Sequence, residues 1–377
     1  MDNYGLPPSA RQSAYGCKSR SIIATAFSCH YRPVRLLHKR EGSDRTTCIW
    51  RGDSIDCAIV KRAALITAVL SAILVLLLMG REATRTTVIP DAFSADSFWN
   101  RPIPPDARIH PSSGAIVEFL TEDNALDGCI TLAGPADAWG MPIYLADADS
   151  TTYNVQSSKY TVPAEFASLR IPPGAQSAQT SDAEMVVYDL DRGFVAQLSK
   201  ASYNIDSDTW TVSGGSIAYL DSNGLDARLE ASDDQRNSGS FRGYNGAVSS
   251  VHFDDVANGQ LDNVVKIGVN NSSTEAIPPM VGSDGDLTRP DAPLQGMRLR
   301  IRPDLDLSSL GLSDQALIIA RGLQEYGAII GDSTGSAVVL KLEDTERSGL
   351  GGRWNLHRES LCAITSDDFV IVESDLG

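Results

Sequence analysis

The chain of 377 residues contains an uncharged apolar run at residues 63–80, which reads AALITAVLSAILVLLLMG. At about 1.5 Å per helical residue this run extends roughly 27 Å, close to the apolar thickness of a bilayer. Lys61 and Arg62 precede the run, and Arg81 and Glu82 follow it. The sequence therefore predicts one transmembrane helix, residues 61–82 with its flanks, ahead of a large C-terminal part.

The two sides of this run carry opposite charge. Residues 1–62 contain 11 Lys and Arg against 5 Asp and Glu, whereas residues 81–377 contain 21 against 43, so the formal charge changes from +6 to −22. Basic flanks remain on the cytoplasmic side of a membrane. We therefore expect a single-pass cell-membrane protein whose C-terminal domain faces outward.

Two alternatives to an uncleaved signal anchor remain open. A cleaved signal peptide has a shorter apolar core and small residues at positions −3 and −1 of the cut. The candidate positions read Leu78-Met79-Gly80 and Arg81-Glu82-Ala83, which do not fit that pattern. If the segment is cleaved, the protein is secreted; the second alternative is a buried core helix.

Residues 1–60 form a basic segment without apolar periodicity, which is typical of a disordered cytoplasmic tail. They include Cys17, Cys29, Cys48 and Cys57, but these spacings are unlike the short Cys-x2–4-Cys pairs of structural zinc sites.

A second interpretation is that residues 1–60 are upstream sequence translated by mis-annotation of the start. A start at Val60 would place Val-Lys-Arg directly before the apolar run, which is the layout of an export signal.

The exported part is rich in Gly, Asp, Ser and Pro turns that separate short strand candidates. Such strands, spaced by turn signals, predict a mainly β fold, a β-sandwich of jelly-roll type, with one or two packing helices. We expect a linker at 83–92 and one domain at 93–374. The predicted strands are Glu184–Leu190, Phe194–Leu198, Thr209–Val212, Ile217–Leu220, Val264–Val269, Met297–Arg302, Ala337–Leu342 and Phe369–Val372.

Turn and helix signals add detail to this domain. Asp191-Arg192-Gly193 and Ser213-Gly214-Gly215 are predicted turns between paired strands. Ser112-Ser113 can cap a short helix. A longer helix is expected to start at Ser313, bury one apolar face and end at Gly327.

The charge of the exported part excludes one class of partner. A nucleic-acid binder needs a basic patch that displaces counterions from phosphates, so we expect no DNA or RNA ligand. Arg298, Arg300 and Arg302 alternate with apolar residues along one predicted strand. Alternation places them on one face, which is either solvated or able to bind an anionic glycan.

Cys129 and Cys362 are the cysteines of the exported part. In an oxidising compartment such a pair often forms a disulfide, which for so long a loop would contribute about 4–5 kcal/mol in the loop-entropy model.

Several segments are similar to a family of secreted, mostly actinobacterial proteins of uncharacterised function. The opening Phe93-Ser-Ala-Asp-Ser-Phe-Trp-Asn-Arg-Pro-Ile-Pro-Pro-Asp-Ala107 resembles the family's N-terminal SxWN-x-P-IP segment. Further matches, in the expected order, are Ser181-Asp182, Met185-Val-Val-Tyr-Asp189, Val281-Gly-Ser-Asp-Gly285, Gly296-Met-Arg-Leu-Arg300, Ile319-Ala-Arg-Gly-Leu-Gln-Glu-Tyr-Gly327, Asp332, Arg353-Trp-Asn355 and Asp368-Phe369. The resemblance covers nearly all of 93–373.

This resemblance implies export and a β-rich domain like those of carbohydrate enzymes, but no established reaction. One position departs from the family. Where similar proteins tend to have a histidine after Gly-x-Ile/Leu-Asp, this chain reads Gly259-Gln-Leu-Asp-Asn263. Any chemistry that depends on that histidine is therefore in question here.

Carboxylates are the main catalytic candidates, because the sequence contains no Gly-x-Ser-x-Gly, P-loop, His-Glu-x-x-His or Cys-x-x-Cys motif. Asp284 and Asp286 lie two positions apart in a predicted loop, and Asp332 follows the strand-like 328–331. Glycosidic bond cleavage uses two carboxyl groups, one of them protonated. Asp-x-Asp also occurs in plain turns and in calcium sites, so calcium remains open and no other cofactor is expected.

Other polar and aromatic residues complete the candidate site. His252, in a polar, glycine-rich segment, is the histidine most able to act in catalysis. Arg242 and Tyr244 precede it and would bind substrate. Trp354 and Tyr326 offer aromatic rings on which sugars stack.

These residues support three hypotheses. The first is a membrane-anchored glycoside hydrolase that acts on a cell-envelope or environmental polysaccharide through Asp284, Asp286 and Asp332. The second is a non-catalytic glycan-binding or envelope-structural domain. The third is a polysaccharide lyase with Tyr244 or His252 as base and Arg242 neutralising a uronate. The hydrolase requires the candidate residues to surround one concave surface.

Overall fold

The computed structural model describes residues 87–122, 129–134, 137–239, 242–335, 337–374 and 376. The predicted tail and the predicted transmembrane segment lie outside the described residues. Within the described ranges, no helix is both long enough and apolar enough to cross a membrane.

The described part is mainly β, with several sheets and few helices, which confirms the predicted class. Its strands are β1 (Thr131–Ala133), β2 (Ile143–Ala146), β3 (Thr151–Tyr153), β4 (Gln156–Ser157), β5 (Leu169–Ile171), β6 (Met185–Asp189), β7 (Phe194–Ser199), β8 (Ser202–Asn204), β9 (Thr209–Val212), β10 (Gly214–Tyr219), β11 (Ser238–Gly239), β12 (Val265–Val269), β13 (Arg298–Ile301), β14 (Ala328–Ser333), β15 (Val339–Lys341) and β16 (Phe369–Val372).

Two larger sheets organise these strands. The six-stranded sheet has the order β1-β15-β12-β14-β13-β16, and the five-stranded sheet has the order β11-β10-β7-β6-β2. Both are mixed: β1 pairs with β15, β12 with β14, and β2 with β6 in parallel, while the other pairs are antiparallel. Smaller sheets join β3 to β5 and β4 to β9 and β8.

One of the two predicted turns is confirmed and the other is wrong. Asp191-Arg192-Gly193 connects the antiparallel strands β6 and β7, and Gly193 has the positive φ of 68° that such a turn favours. Gly214 and Gly215, in contrast, belong to β10, which pairs with β7 rather than with β9. A Cβ at Gly215 would lie 2.2 Å from the ring of Phe166, so close packing explains this glycine.

The helices are α1 (Ser113–Glu122), α2 (Phe253–Ala257) and α3 (Asp314–Glu325). As predicted, the side chain of Ser313 caps α3 by accepting a hydrogen bond from the backbone N–H of Ala316. Gly327, two residues beyond the helix, has a positive φ of 68°. Helix α3 buries Ala316, Ile319, Ala320 and Leu323. It is therefore the packing helix that the sequence predicts.

Three apolar clusters form the core. The first joins α1 and α3 to one face of the six-stranded sheet, including Val265, Leu299 and Ile330. The second contains Val186 and Tyr188 of the five-stranded sheet together with Ile329 of the six-stranded sheet. The third contains the alternate residues of the five-stranded sheet, among them Val187. Each sheet thus has apolar residues on both faces.

The arginines of β13 follow neither interpretation of the sequence. Arg298 and Arg300 are only 4% and 7% exposed. Arg298 donates to the backbone carbonyls of Tyr326 and Arg101, and Arg300 donates to that of Gln324. Arg302 is exposed and pairs with Asp304. The two buried arginines therefore connect the sheet to the C-terminal end of α3 and to the segment at Arg101, and they present no basic surface to a glycan.

The two cysteines of the domain form the predicted disulfide. Cys129 and Cys362 are 233 positions apart in sequence, and their Cα atoms lie 4.9 Å apart. At the N-terminal end, Ile89 is buried in the second apolar cluster. Packing against the domain therefore begins inside the segment that the sequence assigns to a linker.

Candidate functional site

The structure distributes the predicted site residues over three places. Arg242, Tyr244, Asp284 and Asp332 lie together, His252 and Tyr326 line a cavity elsewhere, and Trp354 lines another cavity. The single concave surface that the hydrolase hypothesis requires is therefore not formed by this set of residues.

The first place is a charged network, which we define as Arg242, Lys266, Asp284 and Asp332. One guanidinium nitrogen of Arg242 lies 2.9 Å from Oδ1 of Asp332 and 3.0 Å from Oδ2 of Asp284. The ammonium group of Lys266 lies 3.1 Å from Oδ2 of Asp332. Both carboxylates are thus bound by cations of the protein itself.

These contacts set the ionisation of the two aspartates. Burial alone would raise the pKa of Asp332, but Lys266, Arg242 and Lys341 outweigh burial and lower it to about 2. Burial raises the pKa of Asp284; Arg242 opposes this change, and the neighbouring Asp332 adds to it. The two carboxyl groups therefore differ in pKa, as an acid and base pair would, but a shared arginine lies between them.

Tyr244 and Asp286, the other residues predicted here, do not turn the charged network into a catalytic site. Tyr244 is 3% exposed, with its ring 4.5 Å from the ammonium group of Lys266. Burial raises its pKa well above the ordinary value, which opposes a role as base. Asp286 is exposed and accepts a hydrogen bond from Asn271 at 2.7 Å. The two aspartates of the Asp-x-Asp motif thus have different partners.

The second place, which we name the acidic cavity, has a volume of about 380 Å³. It is lined by Ile89, Pro90, Asp91, Ala92, Phe93, Ala95, Asn100, Tyr188, Ala247, Val248, His252, Asp255, Gln260, Asp262, Asn263 and Tyr326. No lysine or arginine occurs among these lining residues. The cavity therefore combines carboxyl, amide and aromatic side chains without a cation to neutralise the carboxyl groups.

Distant parts of the chain build this cavity. The N-terminal segment supplies one wall and is held by its backbone, because Ile89 N–H donates to Oδ2 of Asp254 at 3.0 Å. Helix α2 supplies His252 at its N-cap and Asp255 in its first turn. The loop before β12 supplies Asp262 and Asn263. The polar groups meet only because the fold brings these segments together.

His252 and Asp255 are the central pair of the cavity. Nδ1 of His252 lies 3.7 Å from Oδ2 of Asp255, and the imidazole is 8% exposed. Burial raises the pKa of Asp255 to about 7, and the negative charges of Asp254, Asp91, Glu343 and Asp262 add to this effect. Asp255 therefore retains a proton at pH values where an ordinary aspartate has lost it.

Trp354 lines the third place, a cavity of about 430 Å³ with Asp344, Glu346 and Arg347. Its indole N–H donates to the backbone carbonyl of Glu343 at 2.8 Å. Its ring packs edge to face on Phe253, the first residue of α2, with centroids 5.0 Å apart. Trp354 is thus held in place from two sides and lies outside the acidic cavity.

A calcium site would need several clustered oxygen ligands. Within the described residues, no group of three or more His, Cys, Asp or Glu side chains is arranged to hold a metal ion.

No protein-family model matches the chain, and no curated protein or solved structure matches it. The geometry of the acidic cavity is consequently the main basis for a functional proposal.

Sequence reasoning found part of the acidic cavity. His252 and Tyr326 were predicted as site residues, whereas Asp91, Asp255 and Asp262 were assigned no role. A signal for Asp262 exists in the sequence, because it belongs to the segment Gly259-Gln-Leu-Asp-Asn263 discussed above, and both Asp262 and Asn263 line the cavity. The position of Asp91 gives no comparable signal.

Proposed function

We propose that this protein is a membrane-anchored, extracytoplasmic carbohydrate-active enzyme that hydrolyses a neutral glycan of the cell envelope or environment in the acidic cavity. One observation carries the proposal: Asp255, with a pKa of about 7, lies in a cavity that also contains Asp91 and Asp262. A protonated carboxyl group beside further carboxylates is the pairing that glycoside hydrolysis uses.

The remaining lining residues suit a sugar. Asn100, Gln260 and Asn263 provide amide groups that both donate to and accept from hydroxyl groups. Tyr326 provides an aromatic ring at the cavity wall, and sugar C–H groups pack on such rings. A few polar groups around an apolar wall are typical of small-ligand sites.

In the proposed mechanism, Asp255 donates its proton to the glycosidic oxygen as the bond to the anomeric carbon breaks. Asp262, an exposed carboxylate of the cavity, acts as the second carboxyl group, either as base toward a water molecule or as nucleophile. His252, beside Asp255, stabilises the carboxylate that remains after proton transfer. If Asp262 is the base, it takes a proton from the water molecule whose oxygen bonds to the anomeric carbon, and Asp255 regains a proton from solvent. If Asp262 is the nucleophile, the carboxylate of Asp255 takes a proton from the water molecule whose oxygen displaces Asp262 from the anomeric carbon.

This proposal moves the catalytic role away from Asp284, Asp286 and Asp332. Asp332 and Asp284 are already bound by Arg242, so a substrate would have to displace an ion pair to reach them. A uronic-acid polysaccharide, the substrate of a lyase, is disfavoured because the residues that line the acidic cavity include no arginine or lysine to bind its carboxylate.

A panel of polysaccharides tests the proposal. The full-length protein, purified in detergent, is incubated with neutral and acidic polymers, and released reducing ends are measured. Replacing a general acid typically costs 10²–10⁴-fold in rate, so we expect Asp255→Asn to lower hydrolysis by at least about 100-fold. Asp284→Asn is the matched control, because it makes the same change in the charged network; it should retain activity.

The opposite pattern, with Asp255→Asn active and Asp284→Asn inactive, would return catalysis to the charged network. Hydrolysis that neither substitution affects would reject both assignments.

A non-catalytic glycan-binding domain is the second candidate, and Asn263 is the observation that favours it. This residue stands in the cavity where similar proteins tend to have a histidine. In a binding protein, calorimetry with neutral oligosaccharides should show affinity without product release. If the protein only binds glycans, the unmodified protein should release no product and Asn263→His should introduce hydrolysis. If it is a hydrolase, the unmodified protein is already active.

We further propose that the apolar run 63–80 anchors the domain outside the cell and that the two larger sheets pack as a β-sandwich. The charge difference across the run supports the orientation. The apolar cluster shared by Val186 and Ile329 supports the sandwich, although the parallel strand pairs depart from an antiparallel jelly roll. Protease added outside intact cells should digest residues 91–377; complete protection would contradict export.

A further inference from the structure

Helix α2 begins in an unusual way. His252 occupies its N-cap position but makes no capping hydrogen bond with its side chain, although N-cap side chains commonly accept from the first turn. The backbone N–H of Phe253 instead donates to Oε2 of Glu343, at 3.0 Å. A carboxylate 90 positions away in sequence thus performs the capping role, and His252 lines the acidic cavity.

Glu343 is itself held firmly. It is fully buried, at 0% exposure. Its backbone N–H donates to the carbonyl of Val251 at 2.9 Å, and its carbonyl accepts the indole N–H of Trp354 at 2.8 Å. Because the backbone is fixed on both sides, the carboxylate has little freedom to leave the first turn of α2.

We propose that Glu343 is a positioning residue of the acidic cavity, whose carboxylate fixes the start of α2 and thereby holds His252 and Asp255 next to each other at the cavity wall. The inference rests on the proposed function in taking Asp255 as the proton donor. Glu343 does not line the cavity and would not touch the substrate.

The charge of Glu343 gives the same residue a second effect. The charged and titratable groups that face Asp255 are His252 and Asp254 beside it, Asp91 of the N-terminal segment, Asp262 of the loop before β12, and Glu343. Asp91 and Asp262 are exposed, so solvent and salt screen them. Glu343 is buried, and its charge acts on Asp255 with less screening, helping to keep the proton there.

The test replaces Glu343 with Gln in the full-length protein. The amide oxygen of Gln can still accept from Phe253 N–H, whereas the negative charge is gone. The titration of Asp255 is followed by the carboxyl ¹³C signal of protein labelled at aspartate, with Asp255→Asn to assign the signal. We expect the midpoint to move toward acid by roughly one pH unit. Glu165→Gln is the matched control, because Glu165 accepts from Tyr219 outside the cavity, and it should leave the midpoint unchanged.

Glu343→Asp separates position from charge. This variant keeps the charge but shortens the side chain, so the midpoint of Asp255 should stay near its original value while the imidazole signals of His252 move. An unmoved Asp255 midpoint in Glu343→Gln, or unmoved His252 signals in Glu343→Asp, would overturn the inference; the second variant also decides the matter if the first does not fold. These titrations need no substrate, so a failure of the proposed hydrolysis leaves their result intact.

Discussion

The acidic cavity and the charged network both place two or more aspartates near one another, yet they treat those carboxyl groups in opposite ways. In the network, Arg242 and Lys266 bind Asp332, and its pKa falls to about 2. In the cavity, burial raises the pKa of Asp255 to about 7, and the negative charges around it add to this rise. Burial raises the pKa at both aspartates, and only the cations of the network reverse this effect. The comparison teaches that a buried aspartate keeps its proton unless a cation lies beside it.

The largest expected difference concerns stability. Lys266 is 3% exposed, and Lys266→Met removes its charge while keeping a side chain of similar length. Because Asp332 then loses one of its cations, we expect unfolding free energy to fall by about 3 kcal/mol. Urea denaturation of the full-length protein measures this, with the exposed Lys200→Met as control.

A loss below about 0.5 kcal/mol in that experiment would show that the network contributes little to cohesion. The charged network and the acidic cavity would then differ only in the pKa values of their carboxyl groups and not in what they contribute to stability.

The acidic cavity and the charged network should also change the free energy of unfolding in opposite directions as pH rises. The pKa of Asp332 is lowered, so ionised Asp332 stabilises the folded protein at pH values above the ordinary aspartate pKa. This stabilisation, about 2 kcal/mol, is lost as pH falls toward about 2. The pKa of Asp255 is raised, so folding is most favourable with Asp255 protonated, and stability falls as pH rises from about 4 through about 7.

Denaturation at a series of pH values checks both signs. Against the unmodified protein, Asp255→Asn should gain about 1–2 kcal/mol at pH 8 and nothing at pH 4, a figure reduced for the partial exposure of this side chain. Asp332→Asn should instead be less stable at pH 6 and approach the unmodified protein near pH 2. A loss of stability for Asp255→Asn at pH 8 would show that ionised Asp255 stabilises the fold, as ionised Asp332 does, and would contradict the predicted difference between the cavity and the network.

The smallest effect is expected within the Asp-x-Asp motif. Asp286 is exposed and bonded to Asn271, whereas Asp284 belongs to the network. Asp286→Asn should change stability by less than about 0.5 kcal/mol, and Asp284→Asn should change it by more, because Asp284 contacts Arg242. Equal effects in thermal denaturation would show that the motif acts as a unit and that the division drawn between its two aspartates is wrong.

Local signals explain which parts of the fold could be predicted. The capping serine and apolar spacing of α3 act within one helix, and β9 and β16 have the predicted bounds. The turn predicted at Ser213-Gly214-Gly215 failed because Gly215 is required by contact with Phe166, a residue 49 positions earlier, and not by turn geometry. Sequence shows that a glycine is present but does not show which neighbour requires it.

The site was predictable only in part for the same reason. His252 could be recognised from its polar, glycine-rich surroundings, and the Cys129–Cys362 pair from compartment and number. The pKa of Asp255 depends first on its burial and then on the charges of Asp254, Asp91 and Glu343, and the last two residues lie far from it in sequence. Arg298 and Arg300 satisfy the alternation of a surface stripe, yet both are buried and donate hydrogen bonds to carbonyls at the C-terminal end of α3.

The N-terminal wall determines when the acidic cavity can form during synthesis of the chain. This segment comes first in the described part of the chain, but it bonds to residues that lie much later in the sequence. Ile89 bonds to Asp254, 165 positions later, and the carbonyl of Arg101 accepts from Arg298, 197 positions later. Such long-range contacts are the slow ones to form during folding. If the domain is exported as we propose, a chain delivered only as far as α2 carries Asp255 beside an incomplete cavity. The proposed hydrolysis can then begin only after nearly the whole domain has crossed the membrane.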